Sequence, residues 1–327
     1  MMLWVAFLGG ATLAGYGLAC YFTGEDLLAT WVDEWRLRHR SLEELDQACA
    51  AQPRNPGLIV TLTTIPSRIE VLAPTLKSLL RQRVRPAEIR LCLPAWSERE
   101  QRAYEIPAWL RSLRCVTLVP CDDAGPATKF LSTLRTVPSD QPVVVVDDDR
   151  IYHPRLLETF LALAQAHPDC AIAAAGWRVP ADLIDRPTTL LARLRRAPYV
   201  PIRGNQIRQP RRVDIVQGVH SYVLRPRFFD LTALADFGSA PPAVRYVDDV
   251  WVSAHCRVPC EVHPLPLEYT DYKPWEHRRR FDTTSLGRNV NRAAHPAQRG
   301  NSIALRHFAA RWRPENDDRS TAPGPNS

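Results

Sequence analysis

Apolar positions along this chain follow two rhythms. Short, mainly apolar runs at 58–62, 89–93, 116–119, 143–146 and 171–175 read as strands. The run 143–146 is four valines, the composition of a strand covered on both faces. Between them, 68–81 (Leu72, Leu76, Leu79, Leu80) and 156–166 carry apolar residues every third or fourth position, the period of a helix. Strands alternating with helices predict an α/β domain on a mostly parallel sheet. The rhythm fades over 180–212, a Pro- and Arg-rich surface excursion. It returns over 213–224, then as a helix from about Asp248 and a strand near Val262. Residues 314–327 have the polar, Pro/Gly composition of a disordered tail.

The N-terminus breaks this pattern. Residues 3–22 hold no charge, and at about 1.5 Å per residue they match the thickness of a bilayer's hydrocarbon core. Trp4, Tyr16, Tyr21 and Phe22 lie near the two ends, where aromatic residues favour the interface. No cation precedes the run, unlike a signal peptide, and Arg36, Arg38 and Arg40 follow it. The positive-inside rule then puts the body of the protein in the cytoplasm, behind a single-pass anchor. Leu28, Trp31, Val32 and Trp35 recur at helical spacing and predict an amphipathic helix on the membrane surface. The expected organisation is an anchor over 1–23, a juxtamembrane helix and linker over 24–56, a catalytic domain over 57–275, a helical extension over 276–313 and the tail.

Composition changes this picture little. The 327 residues are 45% hydrophobic and 24% charged, enough for one large domain or two small ones. The net charge of +7 comes almost wholly from arginine, since Lys77, Lys129 and Lys273 are the only lysines. Such a balance favours anionic partners, whereas nucleic-acid signatures are missing. Eight scattered cysteines and no glycosylation sequon match a reducing compartment.

The candidate chemistry is acidic. Asp147, Asp148 and Asp149 follow the valine strand directly, and ligands of open α/β sheets bind beyond the carboxyl ends of strands. In an extended segment Asp147 and Asp149 would face one way, a hard-oxygen pair suited to Mg²⁺ or Mn²⁺ shared with phosphate oxygens. A solvated strand end capping the next helix is the competing account. A second pair, Asp248-Asp249, opens a predicted helix. One carboxylate suffices as a cap, and the other is a candidate general base. Gly218 sits inside a strand-like run, as at a bulge or a close ligand approach. Lys129, on a turn feeding a helix, is placed to reach phosphate or to be an exposed cation. His255, Cys256, Cys260 and His263 are too loosely spaced for a closed zinc site.

Taken together, the segments 59–67 (IVTLTTIPS), 125–129 (GPATK), 143–152 (VVVVDDDRIY), 218–223 and 248–253 (DDVWVS) resemble bacterial glycosyltransferases of the GT-A fold, close in layout to the large family 2 group. The likeness covers about two thirds of the chain, 58–270. It implies a Rossmann-like sheet that binds a nucleoside diphosphate sugar, with Asp147 and Asp149 at the metal-binding DxD positions. Thr63, Thr64, Pro66 and Arg68 match the nucleotide-contacting loop, and Lys129, Asp147, Asp148 and Gly218 complete the donor set. Asp249 falls at the base position, with Asp248 where glutamate is common. The implied activity is transfer of one sugar to an acceptor hydroxyl, glycan or lipid-linked, with inversion. The processive Gln-x-x-Arg-Trp signature is missing, since Phe308 precedes Arg311-Trp312 at that spacing. A histidine that is a third metal ligand in some GT-A enzymes has candidates in His263, His277 and His307. A sugar nucleotidyltransferase, or an inactive membrane-tethered nucleotide-sugar-binding protein, are the alternatives.

Overall fold

The structure, a computed structural model, describes residues 10, 12–20, 24–265 and 271–312. Its main elements are α1 (Leu27–Arg38), α2 (Leu42–Ala51), β1 (Asn55–Thr63), α3 (Ala73–Leu80), β2 (Pro86–Pro94), β3 (Val116–Cys121), α4 (Thr128–Thr136), β4 (Val143–Val145), α5 (Leu156–Ala166), β5 (Ala171–Ala173), β6 (Arg211–Val213), β7 (Tyr222–Leu224), α6 (Asp248–His255), β8 (Cys260–Val262) and α7 (Gly300–His307). Eight strands form one sheet in the order β6-β8-β5-β7-β4-β1-β2-β3. β1 runs parallel to β2 and β4, β2 to β3, and β5 to β8. β7 is antiparallel to both of its neighbours, and β6 to β8. The expected α/β sheet flanked by helices is present.

Period-two alternation divides the valine run between two cores. Val144 and Val146 pack with Leu37, Leu45, Leu76 and Phe160 of α1, α2, α3 and α5. Val143 and Val145 pack with Phe130, Trp251 and Leu305 of α4, α6 and α7. All four valines are fully buried, as a strand covered on both faces must be.

Several boundaries differ from expectation. The helix expected over 68–81 is a 3₁₀ turn, Pro66–Val71, followed by α3, because Pro74 suits only a helix's first turn. The run 171–175 divides at Ala174: β5 stays in the main sheet, and Ala175–Trp177 joins a small sheet with Ile202–Arg203 and Ile215–Val216. The stretch 276–312 is no appendage. Phe281, Ala304 and Leu305 are buried without exposure, and the segment folds back over the carboxyl ends of the strands. α1 and α2 likewise pack on the body, so 24–56 is not a free linker. Of the anchor expected over 3–22, residue 10 and residues 12–20 are described and are helical, with the Tyr16 hydroxyl donating to Asp26 (2.5 Å). Residues 1–9, 11 and 21–23 and the tail from 313 lie outside the described residues. Among the described residues no helix is long and apolar enough to cross a membrane.

From β1 the chain winds through β2 and β3 to one side, then crosses to place β4 on the other. The gap between the carboxyl ends of β1 and β4 is therefore a topological switch point, where a crevice opens.

Candidate active site

A cleft of about 400 Å³ lies at that switch point. Thr63 and Thr64 enter it from the end of β1, and Asp147, Asp148, Asp149 and Arg150 from the end of β4. Lys129 comes from α4, Asp248 and Asp249 from α6, and Lys273, Asn291 and Asn301 from the C-terminal segment. The two acid motifs, a hundred residues apart in sequence, thus share one cavity.

The triple-aspartate segment is a turn, not an extension of β4, which corrects the alternation argument. Its backbone is clamped. The Asp147 N–H donates to the Tyr152 hydroxyl (2.8 Å), which donates back to the Asp147 carbonyl (3.2 Å). Thr75 donates to the Asp148 carbonyl (2.8 Å). Asp148 turns inward, where its two oxygens accept from Thr64 (2.6 Å) and Arg68 (2.7 Å). Arg68 is occupied in turn by Asp148, Thr284 and the Phe281 carbonyl. Asp148 and Arg68 therefore brace the cleft wall, and their polar atoms are already engaged.

Asp147 and Asp149 are the open members. Asp147 Oδ1 accepts from Lys129 (2.7 Å), and among the described residues no hydrogen bond engages its other oxygen. Asp147 is also the least covered of the three, with 26% of its side chain exposed. Asp149 has no hydrogen bond to its carboxylate among the described residues, only ion pairs with Lys273 (3.5 Å), Arg150 (3.8 Å) and Arg68 (3.9 Å). Asp147 Oδ2, with no partner among the described residues, and the Asp149 carboxylate, held by ion pairs alone, suit a hard divalent cation. Burial pushes the Asp147 carboxyl upward, but Lys129, with Arg150 and Arg68, holds it below the ordinary range, so it is an anion ready to ligate.

Lys129 joins the motifs. Its Nζ lies 2.7 Å from Asp147 Oδ1 and 2.7 Å from Asp248 Oδ2, although only the first has hydrogen-bond geometry. Burial favours its neutral form, yet Asp147 and Asp248 raise its pKa well above the usual value. It is a fixed buried cation, not the exposed one weighed above.

Asp249 differs from its neighbours. Burial and the adjacent Asp248 charge push its carboxyl well above the ordinary range, with Lys129 opposing. Its Oδ1 accepts the Gly218 N–H (2.8 Å). The glycine is needed for that approach, since a Cβ at 218 would sit 2.8 Å from Lys129 Nζ and 3.0 Å from Asp249 Oδ1. Gly218→Ala is expected to cost about 1–3 kcal/mol as an overpacked site whose lysine is pinned between two carboxylates. Urea unfolding would measure it, and an unchanged midpoint would remove this account of Gly218.

Other expectations fare unevenly. Thr63 lines the cleft while its hydroxyl donates to the Cys92 carbonyl (2.7 Å). Pro66 is buried at the start of the 3₁₀ turn and does not line the cleft. None of His263, His277 and His307 lines it either. His263 pairs with Glu261 (3.1 Å) and, with Cys170, makes the one His/Cys/Asp/Glu group among the described residues whose ligand atoms lie within 4.8 Å of one another. It does not join His255, whose Nδ1 meets the Trp251 carbonyl. Residues not foreseen are Arg150, Lys273, His220 and Asp271. His220 Nδ1 lies 2.7 Å from Asp271 Oδ1, and Arg150 Nε lies 3.6 Å from Asp271 Oδ2. Lysine scarcity, which singled out Lys129, points equally to Lys273.

No protein-family model matches this chain, and neither does any curated protein sequence.

Proposed function

We propose that the protein is a metal-dependent glycosyltransferase that moves one sugar from a nucleoside diphosphate sugar to an acceptor hydroxyl, glycan or lipid-linked, with inversion, and that an N-terminal anchor holds it to a membrane with the catalytic body in the cytoplasm. The observation that carries this reading is the meeting, in one cleft at the switch point, of two open carboxylates and a separate carboxyl with a raised proton affinity.

Asp147 and Asp149 would hold Mn²⁺ or Mg²⁺. When bound, that ion neutralises the charge that grows on a departing diphosphate. Thr63 and Thr64 border the donor side, and Arg150 and Lys273 add positive charge along it. Asp249 takes the proton from the acceptor hydroxyl, and its raised pKa brings its basicity closer to that of its working pH. The Gly218 N–H fixes the direction of its carboxylate. Lys129 offsets the charge of Asp147 and Asp248, so that the acid pairs coexist without the ion.

Incubation with Mn²⁺ and a panel of nucleotide sugars tests the reading. Release of nucleoside diphosphate supports it, pyrophosphate points to nucleotidyl transfer, and no turnover to a binding protein. Asp147→Ala and Asp149→Ala are each expected to weaken Mn²⁺-dependent nucleoside diphosphate binding by about tenfold or more, the loss of one charged ligand. Calorimetric titration showing wild-type affinity in both variants would remove the ligand assignment.

A further inference from the structure

α1 docks through Thr30, Glu34 and Leu37, with only the last of these apolar. Asp33 accepts from Arg81 (2.5 and 2.6 Å) and from the Tyr272 hydroxyl (2.9 Å). Glu34, buried, accepts the Trp275 N–H (2.9 Å) and pairs with Arg38 (2.8 Å). The opposite face carries Leu28, Trp31 and Trp35, which are 62%, 58% and 54% exposed. Their spacing puts them in one stripe along the helix. A helix on a water-facing surface has the reverse arrangement, with its apolar stripe against the core.

A second bare apolar group lies nearby. Gly24 packs against the Arg203 guanidinium, just ahead of α1. Arg203 belongs to the excursion that carries the short helix Leu190–Leu194, with Leu190, Leu191 and Leu194 at 56%, 54% and 70% exposure. Arg193 of that helix is close enough for its charge to act on Arg203. Arginines border both groups: Arg36 and Arg40 follow the stripe on α1, and Arg195 and Arg196 follow the leucines, all four exposed.

We infer that these two groups form one face that rests on a phospholipid bilayer, with the Trp and Leu side chains in the headgroup–acyl boundary and the arginines on anionic headgroups. Two features favour lipid over another protein. The uncharged run 3–22 adjoins the start of the stripe, since its Tyr16 hydroxyl donates to Asp26 (2.5 Å) and accepts the Leu28 N–H (3.0 Å). Bulky Trp and Leu bordered by Arg is also the composition of interfacial helices. The inference rests on the membrane attachment proposed above and extends it to a fixed orientation. Tyr272, which holds Asp33, pairs its backbone with Ile151, and the flanking residues Arg150 and Lys273 line the cleft. The cleft wall is thus braced to the helix that faces lipid through Asp33, Tyr272 and Ile151.

The test uses the full chain reconstituted in vesicles of phosphatidylcholine and phosphatidylglycerol, with brominated phosphatidylcholine as a tryptophan quencher. The Trp31→Phe/Trp35→Phe variant is expected to show about a twofold drop in quenching amplitude, as two interfacial indoles are removed. Equal quenching in the variant and the wild type would overturn the inference. So would concentration-dependent self-association in detergent that Trp31→Glu/Trp35→Glu abolishes, because the face would then bind a second copy. Nucleoside diphosphate binding with Mn²⁺, measured on the same samples, separates the two readings. Its absence from the wild type counts against glycosyl transfer, while the quenching result alone decides the lipid face.

Discussion

Asp249→Asn is expected to leave the protein folded and nucleotide-binding intact while lowering the transfer rate by about 10²- to 10⁴-fold, the range of general-base catalysis. The amide keeps an oxygen for the Gly218 N–H (2.8 Å in the parent), so the loop over α6 has no reason to move. What is lost is the ability to accept a proton. The wild-type rate should carry an acid limb above the usual carboxylate range, because burial and Asp248 hold the Asp249 proton more tightly. Stability has a matching sign. With a folded pKa above the unfolded one, the contribution of protonated Asp249 is full below the ordinary carboxylate range. It is lost as pH rises through the folded value. The residual rate of the variant should lack that limb. Near-normal turnover in Asp249→Asn would leave the residue only the structural hydrogen bond to the Gly218 N–H.

Lys129→Met is expected to be the most destabilising single change in the cleft. The methionine fills nearly the same volume but leaves Asp147 and Asp248 without the cation that lies 2.7 Å from each. Breaking a buried ion pair from one side costs about 3–5 kcal/mol, which in a chain of this size lowers the melting temperature by roughly 10 °C. The same charge argument predicts that Mn²⁺ raises the melting temperature of the variant more than that of the wild type, because the unpaired carboxylates can share the ion. Thermal melts with and without Mn²⁺ decide both points. A variant as stable as the parent would mean that Lys129 is not the counter-ion that joins the motifs.

The central strands and both acid pairs were legible because each has a local cause. An unbroken valine run needs cover on both faces, and acids at its end need cations or a ligand. Tyr152 and Thr75, which hold the aspartate turn, carried no such signal, since a buried hydroxyl looks the same in sequence whether it clamps a backbone or fills a core. The bonds of Asp148 to Thr64 and Arg68 carried no local signal either. Alternation assumes extended backbone, and the turn at 148–149 abolishes it. Lys273 reaches the cleft through the long-range pairing of Ile151 with Tyr272, which no local pattern encodes. Which side of α1 faces the protein depends on Arg81 and Tyr272, distant in sequence.

The segment folded over the strand ends also sets an order of events during synthesis. Thr63 emerges from the ribosome long before Asn291 and Asn301, yet all three border the same cavity. A nascent chain can pair β1, β2 and β4 early, but the cleft stays uncovered until the segment through Asn301 has been made. Termination anywhere upstream of α7 would therefore yield a scaffold whose cleft lacks that cover.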